Sequence, residues 1–141
     1  MEKIKVLFVC VHNSARSQMA EAFLKIYGGD RFEVKSAGLE PGVLNPLVVR
    51  VMREDSVDLS GNSTKSVFDI FKKGDLFDYV IAVCEETKAE KCPVFPFVNK
   101  ALHWGFDDPS SLEGTEDEKL AKIRAVKEQI KAKIQQWIKE I

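Results

Sequence analysis

An open parallel sheet of about four strands, with helices on both faces, is the α/β architecture this sequence predicts. Three observations lead there. Short apolar runs alternate with stretches of helical periodicity along the whole chain, the pattern of strands joined by right-handed helical crossovers. The runs at 6–9 and 79–83 are apolar at consecutive rather than alternate positions, which suits strands covered on both faces. Two of the runs then stop at a cysteine, Cys10 and Cys84. In open sheets of this kind ligands bind beyond the carboxyl ends of the strands, so both thiols fall in one functional region.

The elements follow in order. Residues 3–9 read as a first strand. "SARSQMAEAFLKIYGG" reads as a helix with Met19, Ala22, Phe23 and Ile26 on one face and Gly28-Gly29 as its stop. "RFEVKSAG" is a second short strand. In "VLNPLVVRVMRE", Asn45 suits the N-cap and Pro46 the first helical position, so a helix runs to about Asp55. "STKSVFDIFKKG" supplies a short third helix ended by Gly74, and "FDYVIAVC" a third strand. "PVFPFVNKALHWGFDDPSS" is loop-rich with room for one short strand. From about Glu116 a long amphipathic helix carries Leu120, Ile123, Ile130, Ile134, Trp137 and Ile141 on its apolar side, better read as one helix docked on the core than as a coiled coil. There is no repeat, linker or low-complexity stretch, so residues 1–141 form one domain.

Composition narrows the function. Of 141 residues, 45% are hydrophobic and 30% charged, the balance of a folded soluble protein, and the formal net charge is −1. Nothing global attracts nucleic acid or a membrane surface, and any anion site must be local. No apolar run approaches the roughly 20 residues that span a bilayer, and "MEKIKVLFVC" is too short in its apolar part for a signal peptide. A cytoplasmic protein is the expectation. Three cysteines, Cys10, Cys84 and Cys92, are an odd number with no export signal, which argues for reactive thiols over a disulfide framework. No C-x2-C spacing supports a zinc site with His12 or His103.

The chemistry concentrates at "CVHNSARS". Cys10 leaves a strand and enters a short loop before a helix, so backbone N–H groups converge at a positive helix end. That field and the nearby Arg16 favour a thiolate. The Arg16 fork can grip two oxygens of a tetrahedral oxyanion. Ser17 is placed to hydrogen-bond the sulfur, and Asn13 tolerates the left-handed backbone a tight loop needs. Read blandly, the same residues are a buried cysteine ending a strand and an arginine on a helix surface.

"CVHNSARSQMAE" resembles the active-site loop of the low-molecular-weight protein tyrosine phosphatase family, and its "SQMAE" continuation resembles the thioredoxin-coupled arsenate reductases that share that fold. "SAG" at 36–38, "NP" at 45–46, the two later cysteines and "HWGFDDP" at 103–109 extend the likeness over the whole chain. The resemblance implies that Cys10 is the nucleophile, that Val11, His12, Asn13, Ser14, Ala15, Arg16 and Ser17 cradle the oxyanion, and that Asp108 before Pro109 is the general acid, with Asp107 aiding the loop. It implies a relay in which Cys10 attacks arsenate, Cys84 then bonds Cys10, and Cys92 bonds Cys84 to give a disulfide that thioredoxin reduces. It implies no tightly bound cofactor. Cys84 as a small core residue and Cys92 as a surface thiol is the plainer alternative for that pair.

Three positions depart from the family pattern. His12 stands where glycine is frequent, so a strained backbone is expected there, with the ring at the cleft rim. Ala15 stands where a cysteine is frequent. Lys65 replaces an aspartate that, with groups matching Asn13, Glu21 and Ser36, binds a monovalent cation in some reductases. The expectation is that the Lys65 ammonium takes the cation's place, neutralising Glu21 and bracing Asn13. Two other functions remain open from sequence: a phosphatase using Cys10, Arg16 and Asp108, and a non-catalytic oxyanion or redox sensor.

Overall fold

The computed structural model describes residues 3–13, 15–83, 100–107 and 113–141. Strands β1 (Ile4–Cys10), β2 (Phe32–Gly38), β3 (Tyr79–Ala82) and β4 (Lys100–His103) form one parallel sheet in the order β2-β1-β3-β4. β1 lies between β2 and β3, with Cys10 level with Gly38 and Val9 level with Ala82. Its residues Val6, Leu7, Phe8 and Val9 are all fully buried, which explains the consecutive apolar pattern. Val6 and Phe8 join the core on one face, Leu7 and Val9 the core on the other.

Helices α1 (Arg16–Gly28), α2 (Pro46–Glu54) and α4 (Glu116–Glu140) cover the first face, and the short α3 (Val67–Lys72) covers the second with Phe77. Burying a side chain such as Phe8 or Ile81 contributes about 1.5–3 kcal/mol. Trp104 packs against Phe8 with ring centroids 5.9 Å apart and against Trp137 of α4 at 5.5 Å, pinning α4 to the end of β4.

Local signals set the helix ends. The Asn45 side chain accepts from the Leu47 N–H at 2.9 Å with Pro46 at the first position. Ser66 and Thr115 cap α3 and α4 in the same way. α1 ends at Gly28, and Gly29 (φ 57°) turns the chain into one 3-10 turn before β2. Gly74 (φ 82°) follows α3. The covered face of α1 differs from expectation: Met19, Ala20, Phe23 and Leu24 are buried, Ala22 is half-buried, and Ile26 is 54% exposed. α1 is wedged between the sheet and α4, so its covered stripe is rotated toward Ala20 and Leu24. Ile141 lies past the end of α4 and is 37% exposed, also outside the expected stripe.

Charges tie α2 to α4. The Lys127 ammonium, 5% exposed as a residue, reaches Asp55 Oδ1 at 3.1 Å. Arg124 forks onto Glu54 at 2.9 and 2.7 Å and holds the Glu54 carboxyl below its ordinary value of 4.5. A lowered carboxylate stabilises above its unfolded value, and the benefit is lost as pH falls through the folded one. The pair is exposed, so the effect is small. Arg124→Ala is expected to lower Tm slightly near neutral pH and less at strongly acidic pH, once the pH has fallen through the lowered carboxyl value, with the neutral-pH difference shrinking in high salt. Thermal melts at the two pH values check this.

Candidate active site

The loop from β1 to α1 is held on two sides. Beneath it lies Gly38 at the end of β2, where an added Cβ would stand 2.7 Å from Val11 O and 2.8 Å from Asn13 N. Beside it, residues 39–42 run along the loop as a backbone strap. Leu39 N–H donates to Cys10 O at 3.2 Å, Glu40 N–H to Val11 O at 2.8 Å and Gly42 N–H to His12 O at 3.0 Å. The left-handed residue of the loop is Asn13, with φ 54°, as its type suggests. His12, where strain was expected, has no positive φ; among the described loop residues that conformation falls on Asn13. The His12 ring is exposed and its Nδ1 stands 2.9 Å from Glu40 O, so that nitrogen donates.

Cys10 is a free thiol, 2% exposed. Its Sγ accepts the Asn13 N–H at 3.1 Å and lies 3.0 Å from Ser17 Oγ, which in turn receives Asn13 Nδ2 at 2.7 Å. Asn13 and Ser17 are fully buried. A backbone N–H and a hydroxyl thus both face the sulfur. Ala15, the N-cap of α1, offers no capping side chain, which leaves the positive end of the helix facing the loop. Arg16 is 3% exposed and donates from Nη1 to Phe106 O at 3.1 Å. A guanidinium is thereby fixed within the same short loop, with its orientation tied to the segment after β4. Such a site can bind a tetrahedral oxyanion and attack it with sulfur.

Of the residues picked from sequence, Cys10, Val11, His12, Asn13, Ala15, Arg16 and Ser17 come together in this loop. Ser14, Cys84, Cys92 and Asp108 lie outside the described residues. Val83, the last described residue before Cys84, donates its N–H to Val9 O at 2.9 Å, one position from Cys10. Asp107 is exposed and directly follows Phe106, whose carbonyl holds Arg16.

Residues 5–141 match the model of the low molecular weight phosphotyrosine protein phosphatase family. The chain belongs to that family. It is 43% identical over 138 residues to an arsenate reductase of Bacillus licheniformis, covering 97% of this chain and 96% of that protein. It is 42% identical over 139 residues to the arsenate reductase of Bacillus subtilis, with 97% and 96% covered. Among solved structures, an arsenate reductase in the phosphate-binding state superposes with a TM-score of 0.80 at 30% identity, covering 98% of each chain. A thioredoxin-dependent arsenate reductase of Corynebacterium glutamicum superposes at 0.61 with 32% identity, covering 94% of this chain and 62% of that one.

Within this phosphatase-family site, the expectation for Lys65 is corrected. Its ammonium donates to Ser63 O at 3.0 Å, while its backbone N–H, not its side chain, braces Asn13 Oδ1 at 3.0 Å. The charge on Glu21 is met by Lys25 one helical turn on, at 2.6 Å, and Glu21 Oε1 accepts from Ser36 Oγ. Helix spacing explains the substitution, since residues four apart are neighbours. Asn13 and Glu21 thus already accept from hydrogen donors, one of them cationic, and Ser36 Oγ is turned to donate to Glu21. These residues do not fit a bound cation.

Four contributors escaped sequence reasoning. Gly38 is small because the loop passes over it. Gln18 is fully buried beside Asn13. Lys25 serves Glu21, and the main chain of Phe106 orients Arg16. Only the Glu21–Lys25 spacing, four residues apart on one helix, left a signal in the sequence.

Proposed function

We propose that this protein reduces arsenate to arsenite at Cys10, in the cytoplasm, with thioredoxin returning it to the reduced state. The observation that carries the reading is the Cys10 sulfur, held by Asn13 N–H and Ser17 Oγ in a loop that also fixes Arg16. The extent of the likeness to arsenate reductases, and the presence of Cys84 and Cys92 in the sequence, favour reduction over hydrolysis.

The steps balance as follows. Arg16 and the loop amides bind the oxyanion, and the Cys10 thiolate attacks arsenic(V). One oxygen leaves as water after protonation by Asp108, forming an S–As bond. The Cys84 thiolate attacks Cys10 Sγ, a Cys10–Cys84 bond forms, and the S–As pair stays on arsenic, which departs as arsenite. Cys92 attacks Cys84 and frees the Cys10 thiolate. The two thiols of thioredoxin reduce the Cys84–Cys92 bond and take up its oxidation. A sulfur buried at the floor of the loop is hidden from a protein reductant, which is why a second pair of thiols serves.

The test is NADPH consumption with thioredoxin and thioredoxin reductase, started with arsenate, on wild type and Cys92→Ser, beside aryl-phosphate hydrolysis. Arsenate-dependent turnover that falls at least ~100-fold in Cys92→Ser supports the relay. No arsenate-dependent turnover, with brisk aryl-phosphate hydrolysis indifferent to Cys92, overturns it and leaves a phosphatase.

A further inference from the structure

Gln18 lies on the first turn of α1, fully buried, and takes no part in the steps above. Its Nε2 stands 3.2 Å from Asn13 O, 3.1 Å from Asn13 Oδ1 and 3.1 Å from Ser63 O. All three are carbonyl oxygens, which only accept, so the amide nitrogen must occupy that end. Its Oε1 accepts from Asn62 Nδ2 at 3.0 Å. One carboxamide thus spans the catalytic loop and the 62–65 segment.

The direction of the bonds beyond Gln18 matters more than their number. The Lys65 backbone N–H is an obligate donor and reaches Asn13 Oδ1, which settles the end of the Asn13 amide that carries oxygen. Asn13 Nδ2 must then donate to Ser17 Oγ. Having accepted that bond, the Ser17 hydroxyl has its own hydrogen to give, and Cys10 Sγ, 3.0 Å away, is its acceptor once the sulfur is a thiolate. The chain of donors therefore runs one way and ends on the sulfur.

We propose that Gln18 is a positioning residue for the nucleophile: by donating to both the side chain and the main chain of Asn13, it keeps this chain of hydrogen bonds directed at Cys10. The bond to Asn13 O also holds the residue in its left-handed conformation. Without Gln18, Asn13 Oδ1 keeps one donor instead of two, the amide is freer to turn, and its Nδ2 no longer holds Ser17 Oγ in place beside the sulfur. Asn62 acts one step further out, by holding Gln18. The proposal rests on Cys10 as the nucleophile, and not on arsenate as the substrate.

The experiment uses the full chain with Cys84→Ser and Cys92→Ser, so that Cys10 is the sole thiol, and iodoacetamide as the probe. The alkylation rate at pH 7 is divided by the rate at strongly alkaline pH, where the thiol is ionised regardless. This ratio reports the charge on sulfur and cancels changes in access. Gln18→Met keeps the length and apolar bulk of the chain but removes the donor. It is expected to lower the ratio about fivefold, the effect of one hydrogen bond near 1 kcal/mol, and a ratio within twofold of the parent overturns the proposal. Should Gln18→Met fail to fold, Asn62→Ala decides, since Asn62 is exposed. A fall of more than twofold supports the proposal and an unchanged ratio ends it. A wild-type chain that failed to reduce arsenate would end the functional proposal while leaving this ratio to decide on Gln18.

Discussion

Replacing Cys10 with serine is expected to abolish arsenate turnover, by at least ~10^4-fold, while oxyanion binding survives. A serine hydroxyl is hardly ionised at neutral pH, and oxygen is a far weaker partner than sulfur for arsenic and for the later thiol exchange. The parts that bind the oxyanion are not touched. The loop keeps its strap of bonds from residues 39–42, and Arg16 keeps its hold on Phe106 O. Asn13 N–H and Ser17 Oγ have an oxygen to bond in place of the sulfur. Phosphate is expected to raise Tm in Cys10→Ser and in wild type alike, by mass action on the folded state. Arsenate reduction within tenfold of wild type would remove Cys10 from its role. Loss of the phosphate-induced rise together with activity would mean that the thiol holds the loop together, a structural task the geometry assigns to Gly38 and the strap.

Legibility in the sequence followed the range of the interactions concerned. Strands β1 and β3 could be read because their apolar runs record burial on two faces, and Asn45-Pro46 could be read because capping is settled within three residues. The face of α1 was misread at Ile26 because it depends on α4, which lies about a hundred residues further on and rotates the covered stripe. Lys65 shows a subtler limit. Its position beside Asn13 was foreseen, but sequence does not distinguish a contact made by a side chain from one made by the main chain, and here the backbone N–H reaches Asn13. The charge that Glu21 needs comes instead from its own helix. Gln18 looked like an ordinary helix residue because no local pattern shows that its amide bridges Asn13 and the distant Ser63.

Gly38→Ala is the second large effect expected, and it tests whether the loop's height above the sheet governs activity. Gly38 does not have a positive φ, so its need for glycine is a matter of space. A Cβ there would meet Val11 O at 2.7 Å, Asn13 N at 2.8 Å and the His12 carbonyl carbon at 2.9 Å. These are backbone atoms and cannot swing aside as the end of a flexible side chain would. The loop must lift, and the Asn13 N–H that now reaches Cys10 Sγ lifts with it. Overpacking of this kind costs about 1–3 kcal/mol of stability, which a sheet whose β1 is buried from Val6 to Cys10 can absorb. Displacement of a nucleophile and its oxyanion cradle by about 1 Å is far more damaging, on the order of 100-fold in kcat/KM. The expected result is thus a folded protein with a modestly lower Tm, a weakened phosphate-induced rise in Tm and a collapse in kcat/KM. Gly61→Ala is the control, because a Cβ at Gly61 meets nothing within 4 Å and should leave turnover near wild type. Wild-type kcat/KM in Gly38→Ala would show that the loop tolerates a shift of this size, and that its close seating on β2 is not what makes the sulfur reactive.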